Sequence, residues 1–358
     1  MTAWSRPVFN LNRLAWRRIR ARHPDFRDWQ LHLRLRTSGA LFSALRAMQR
    51  ARFRDTLRRV SPARPVFILG HWRSGTSLLH ELLSLDGAFI APTTFACFNP
   101  NNFLLSSNPL GEPSNAVQRP TGDFMVATDS PQEEEFALLC LAGASAYEAF
   151  MFPDSIRKLN SLSNPMLFSG DESMQWKEGL LEFLLGVLYA ADRPGRLLLK
   201  SPTNSFRVET LNGLFPDATF VVISREPVAV FKSTLAMWQR MWERYAFTPA
   251  LSGRQLEEEV ARARLAMEER LEAGLSSIPA QRCKAIRYEE LVANPSATIR
   301  ALCEKLNLAD PDPLIPRVET YMAEHVRLAR EAPLAKKTLR WIQERWKPLF
   351  EKYDYPSH

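Results

Sequence analysis

The chain has 358 residues, 46% of them hydrophobic, enough to bury a large core in one α/β domain with extensions or in two smaller domains. No run reaches the roughly 18–20 apolar residues that a membrane-spanning helix needs. The start also lacks the apolar core and small-residue cleavage site of a secretory signal.

The formal net charge of +8 is concentrated in residues 1–60, which hold fifteen arginines against three aspartates and neither lysine nor glutamate. The remaining chain is therefore net negative, and the pI near 9.5 does not describe a nucleic-acid-binding body. Residues 10–60 read as helical, with Leu11, Leu14, Ile19, Leu41, Leu45 and Met48 set between arginines. Three readings fit this extension. Amphipathic helices could pack on the body with solvated arginine faces. An interfacial helix could lean on anionic lipid at the inner membrane surface. An Arg-rich, acid-poor transit peptide is the third.

Pro62 and Pro65 mark a boundary, and residues 61–358 read as one domain. "PVFILG" has the composition of a buried parallel strand, and "SGTSLLHELLSLD" has helical spacing, so a glycine loop joins strand to helix. Residues 95–130 are rich in Pro, Asn and Ser and read as a loop-dominated insertion. "PQEEEFALLCLAG" opens a helix with three acids in its first turn, and a further helix covers about 173–191. "RLLLKSP" and "DATFVVISREP" are strand-like, the latter opening into the helix "VAVFKSTLAMWQRMWERY". The helix "LEEEVARARLAMEERLEAG" closes at Gly274; the strand "CKAIRYEEL" and the helix "PSATIRALCEKLNL" follow. This alternation predicts an α/β fold of three layers, a mostly parallel central sheet flanked by helices, with a helical C-terminal part.

Cys97, Cys140, Cys283 and Cys303 are scattered, with no C-x-x-C pair or nearby histidines. This points to reduced, packed thiols in a cytoplasmic protein, and to no metal site.

Ligands of open parallel sheets bind beyond the carboxyl ends of the strands. Four polar clusters fall at such ends: His71–Ser77, Lys200–Asn204, Arg225–Glu226 and Tyr288–Glu290. The loop "GHWRSGTS" follows the P-loop pattern except that Thr76 occupies the lysine position. Its N–H groups, with Arg73, Ser74, Gly75, Thr76 and Ser77, can still cradle a phosphate. Arg225 and, two helical turns later, Ser233 can reach a second phosphate.

These segments resemble the sulfotransferases that use 3′-phosphoadenosine 5′-phosphosulfate (PAPS). "ILGHWRSGTSLLHELL" looks like their 5′-phosphosulfate loop, and "FPDATFVVISREPVAVFKSTL" like their 3′-phosphate segment. "IRYEELVANPSATIRALCEKLNL" is similar to the stretch whose tyrosine, here Tyr288, lies near the adenine. "TTFACFNPNNFLL" and "SPQEEEFALL" resemble segments of the broad, largely bacterial branch.

The resemblance implies a P-loop-like fold and in-line, metal-independent transfer of a sulfuryl group to a hydroxyl or amine, with 3′-phosphoadenosine 5′-phosphate (PAP) as product. It implies that Arg73 and Lys200 are catalytic and that Thr76 and Ser77 hold the 5′-phosphate. The aryl enzymes place a histidine two residues after the strand-end lysine, where this chain has Pro202. A carboxylate, Glu133 or Glu134, is then the candidate base, with His71 and His80 as alternatives. Arg327 and Arg330 are candidates for further 3′-phosphate contacts. The acceptor class, whether small molecule, lipid or glycan, stays open, and so does the oligomeric state. Two other functions remain to be weighed. One is a P-loop ATP-dependent kinase or ATPase, which needs a loop lysine and an acidic Mg²⁺ ligand. The other is a non-catalytic, membrane-associated protein that keeps the fold.

Overall fold

The computed structural model describes residues 9–111, 117–118, 125–325 and 334–356. Its sheet is assembled from the apolar runs: β1 (Val66–Leu69), β2 (Phe89–Ile90), β3 (Arg196–Lys200), β4 (Thr219–Ser224) and β5 (Cys283–Arg287). The strand order is β2-β3-β1-β4-β5, and every neighbouring pair is parallel. Strand β1 is the centre from which the order diverges to either side, and ligands of such sheets bind beyond its carboxyl end. Strand β2 is only two residues long, too short to show a periodicity.

The helices are α1 (Arg13–Arg22), α2 (Trp29–Leu57), α3 (Thr76–Ser84), α4 (Glu135–Ala142), α5 (Gly170–Ala191), α6 (Pro227–Tyr245), α7 (Gly253–Leu275) and α8 (Pro295–Leu306), joined by shorter turns of helix. Alternate strand residues divide between two layers, as period-two side chains must. Phe67, Leu69, Leu197, Leu199 and Phe220 pack with α4 and α5. Val66, Ile68, Leu198 and Val221 pack with α3 and α8. A third cluster joins α1, α6, α7 and the C-terminal Trp346 and Phe350.

Three expectations about individual elements are corrected. Helix α4 starts at Glu135, so Glu133 and Glu134 precede it and do not serve as first-turn dipole partners. The preceding stretch is held extended by a bridge between Thr93 and Pro131. Helix α7 does not close at Gly274. The glycine lies inside it, where a Cβ would come within 2.6 Å of Val208, so it permits close packing against the Val208–Leu214 helix. Helix α5 begins at Gly170 because Ser169 caps it.

The basic N-terminal segment is fastened to the body. Asn12 caps α1, and Ala15, Trp16 and Ile19 are buried in the third cluster. Gly143, at φ +65°, ends α4 where a Cβ would strike the Ala15 carbonyl at 2.5 Å. Arg22 pairs with buried Glu148, and Arg46 and Arg50 pair with Glu182 at 2.8 and 2.5 Å. Burial pushes the Glu148 carboxyl up, but the His23 hydrogen bond and the Arg22 charge outweigh this and hold it below the usual range. Part of the arginine excess therefore answers acids of the body. Leu41 and Met48, which the packed-helix reading would bury, are exposed.

Candidate active site

The glycine loop leaves β1 at Leu69 and enters α3 at Thr76. Gly70 and Gly75 have φ of +150° and +101°, which suits glycine. The Gly70 N–H donates to the Ser205 hydroxyl at 3.0 Å, and the Ser74 hydroxyl donates to the His71 carbonyl at 2.8 Å. Thr76 is buried as the first residue of α3. The start of α3 carries no side-chain cap. An uncapped helix start after a glycine loop is a ready anion site.

Arg73 has φ +69°, unusual for a residue with a side chain and costing about 1–2 kcal/mol. Two neighbours hold it there. Its Nε donates to the Ser233 hydroxyl at 2.8 Å, and its carbonyl accepts from Arg225 Nη1 at 3.1 Å. Ser233 lies on α6, buried, and Arg225 follows β4. The Arg225 guanidinium lies over the Tyr288 ring, 4.5 Å from its centroid. A Cβ at Gly75 would come within 2.4 Å of that same ring. Glu226 does not pair with Arg225. Its carboxylate caps α6, accepting from the Val228 and Ala229 amides.

Lys200, buried at the end of β3, donates to the Ser77 hydroxyl at 3.2 Å and pairs with Glu133. Tyr147 donates its hydroxyl to the other Glu133 oxygen. Glu133 keeps 14% of its side chain exposed, whereas Glu134 and Glu135 are buried. Glu134 accepts from Asn204 Nδ2 at 2.6 Å, and its second oxygen is buried with no partner. Burial raises its pKa, partly opposed by Arg207. Glu135 pairs with Arg207 at 2.6 Å. Three consecutive glutamates thus face three different surroundings.

Arg73 with Ser233, Arg225 and Tyr288 forms one group and Lys200 with Ser77 and Glu133 another, both at the carboxyl ends of the strands and joined along the glycine loop. Glu134 is turned away from both. His71 is buried with Nδ1 against the Trp72 carbonyl, and burial pushes its pKa down to about 3. His80 packs inside α3 beside the Leu198 carbonyl. Neither suits a base. Arg327 and Arg330 lie outside the described residues. The sequence reading missed Tyr147, Ser205 and Arg207. Tyr147 lies fourteen residues beyond Glu133, where only tertiary packing joins them.

An uncapped helix start, two arginines and a lysine gathered at the end of a parallel sheet suit a bound oxyanion, and Thr76 stands where an ATP-using loop has its lysine. Residues 65–312 match the sequence profile of the sulfotransferase family. The chain belongs to the sulfotransferase family. It is an enzyme of sulfuryl transfer, which displaces the kinase and non-catalytic readings.

The sulfotransferase is 30% identical over 299 residues to the omega-hydroxy-beta-dihydromenaquinone-9 sulfotransferases Stf3 of Mycobacterium bovis and Mycobacterium tuberculosis, covering 82% of this chain and 76% of theirs. Its fold is similar to sulfotransferase STF9 of Mycobacterium avium, with TM-score 0.65, 17% identity, and 99% and 89% of the two chains covered. For STF1 of M. tuberculosis H37Rv the TM-score is 0.63, with 18% identity and coverage of 93% and 90%.

Proposed function

We propose that the donor is PAPS and that the acceptor is the hydroxyl of an apolar, lipid-like alcohol. The observation that carries the reading is Lys200, which touches both Ser77 of the loop and Glu133. The residues present suit this donor. The uncapped α3 start with Gly75, Thr76 and Ser77 would hold the 5′-phosphate, braced by Ser74. Arg225 and Ser233 would take the 3′-phosphate, and the Tyr288 ring the adenine. When bound, PAPS supplies a sulfuryl group on a phosphate leaving group.

Glu133 takes the proton from the acceptor hydroxyl, a role for which its partial exposure favours it over Glu134. Arg73 and Lys200 hold the negative charge that grows on the leaving oxygen. Sulfuryl carries less charge than a γ-phosphoryl, so these cations serve without a metal clamp. Tyr147 keeps the Glu133 carboxylate oriented.

An apolar acceptor suits the surroundings of Glu133. Phe136, three residues on, packs its ring at a tilt against Tyr147 and Phe98 at centroid distances of 4.8 Å each, and both Phe98 and Phe136 are only half-buried. The related mycobacterial enzymes are named for a terminal hydroxyl on an isoprenoid quinone. The four unpaired thiols suit a reducing, cytoplasmic setting.

The test is thermal stability with PAP in the presence of a chelator. PAP raises the melting temperature of the wild type, and Arg225→Ala removes at least most of the shift. No shift at millimolar PAP would overturn the donor assignment. Transfer from labelled donor to a sugar, with none to long-chain alcohols, would overturn the acceptor class.

A further inference from the structure

Helix α2 presents an outward face that its own fold leaves unexplained. Its inward face is fixed: Leu31, Leu35 and Gln49 are buried, and Gly39 brings the backbone against Asn12 and Arg13, with a Cβ there 3.3 Å from the Arg13 nitrogen. Gln49 also locks α2 to the 100–104 segment through its amide, at 3.1 Å to the Pro100 carbonyl and 2.9 Å from the Leu104 amide. The helix therefore cannot roll.

At 3.6 residues per turn, Trp29, Leu33, Ala40, Leu41, Ala44 and Met48 fall on the opposite side. All six are exposed, Trp29 by 69%, Leu33 by 47%, Leu41 by 57% and Met48 by 58%. A solvated helix face normally carries charge. Here Gln30 and Thr37 interrupt the stripe and Asp55 follows it beyond Met48, while the arginines stand at its borders. Arg36 and Arg54 lie along one edge and Arg52 along the other, each exposed.

We propose that this face of α2 docks on the surface of an anionic lipid bilayer, lying in the interface plane. An apolar stripe between two arginine edges matches acyl chains below and acidic headgroups beside them. The stripe runs about 30 Å along the helix. The arginine stems reach past the apolar face to place their heads at headgroup level. A second copy of the chain fits less well, because both edges are basic and any self-pairing sets arginine against arginine. No helix among the described residues is long and apolar enough to cross a membrane, so contact here is peripheral. The proposal does not depend on the acceptor, since vesicle binding needs no turnover.

The test is flotation of the full chain with vesicles of phosphatidylcholine alone and with 30 mol% (about a third) phosphatidylglycerol. Wild type floats with the anionic vesicles at least about tenfold better than with neutral ones, and less at high salt. The variant Leu33→Gln/Leu41→Gln/Met48→Gln loses that binding. Arg36→Gln/Arg52→Gln/Arg54→Gln loses the preference for anionic lipid. These positions are exposed, so both variants keep the wild-type melting temperature and PAP shift. Equal flotation of wild type and the apolar variant overturns the proposal. So does a wild type that ignores vesicles but is dimeric by light scattering and becomes monomeric in the apolar variant.

Discussion

Neighbouring residues of one type hold different roles here because burial differs around each. Glu133 stays partly exposed beside Lys200, Glu134 is buried against Asn204, and Glu135 closes an ion pair with Arg207. The run "EEE" announced carboxylates at the site, but only the tertiary contacts of Lys200, Asn204 and Arg207 sort them. His71 makes a sharper case. It sits in the glycine loop, yet burial first, and then the Arg264 charge, keep it neutral down to about pH 3. In the unfolded chain the same ring titrates near about pH 6.5. A base with a lowered folded pKa binds more protons when unfolded. Its contribution is thus complete above about pH 6.5 and is lost as pH falls towards 3. Denaturant unfolding should show wild type losing on the order of 2 kcal/mol from this group between pH 7 and 5. His71→Asn, which keeps an N–H for the Trp72 carbonyl, should flatten that part of the profile. An unchanged profile in the variant would show that the ring is not buried neutral.

At the scale of elements, the strand ends were legible because β1, β3 and β4 are short apolar runs ending in polar residues, and parallel strands bury both faces. Arg73, Lys200, Arg225 and Tyr288, singled out along the chain, do lie at the strand carboxyl ends. What the chain did not reveal locally was how the elements are tied behind them. Arg207, buried between β3 and α7, pairs with Glu135, bonds Thr203 and Asn204, and lies over the Trp176 ring at 4.8 Å. It thereby links the strand end that carries Lys200 to the stretch that carries Glu133. Removing one member of a buried pair leaves the other charge uncompensated. Arg207→Ala should therefore lower stability by about 3–5 kcal/mol in denaturant titration. A loss below about 1 kcal/mol would show that the pair is not what fixes these two segments.

Over the whole molecule, charge separation along the chain is partly a device of assembly. The arginine-rich start covers Glu148 and Glu182 and inserts Trp16 and Ile19 into the core, which a net-charge count could not distinguish from a free basic arm. Arg36, Arg52 and Arg54 border the exposed face of α2, and the same helix holds the 100–104 segment, beside Phe98 and Phe136. Fold and site are thus continuous: the sheet brings Arg73, Lys200 and Arg225 to its carboxyl edge, and the stretch between the Thr93–Pro131 bridge and α4 brings Glu133 to Lys200. The most direct test of this account is transfer of labelled sulfate from PAPS to a long-chain terminal alcohol, with chelator present, by wild type and Glu133→Gln. Wild type should form the sulfate ester. The variant should fall by about 10²–10⁴ in kcat, the usual worth of a positioned base, with its KM for PAPS little changed. A variant as fast as wild type, or a wild type that transfers nothing from PAPS to any alcohol, would contradict it.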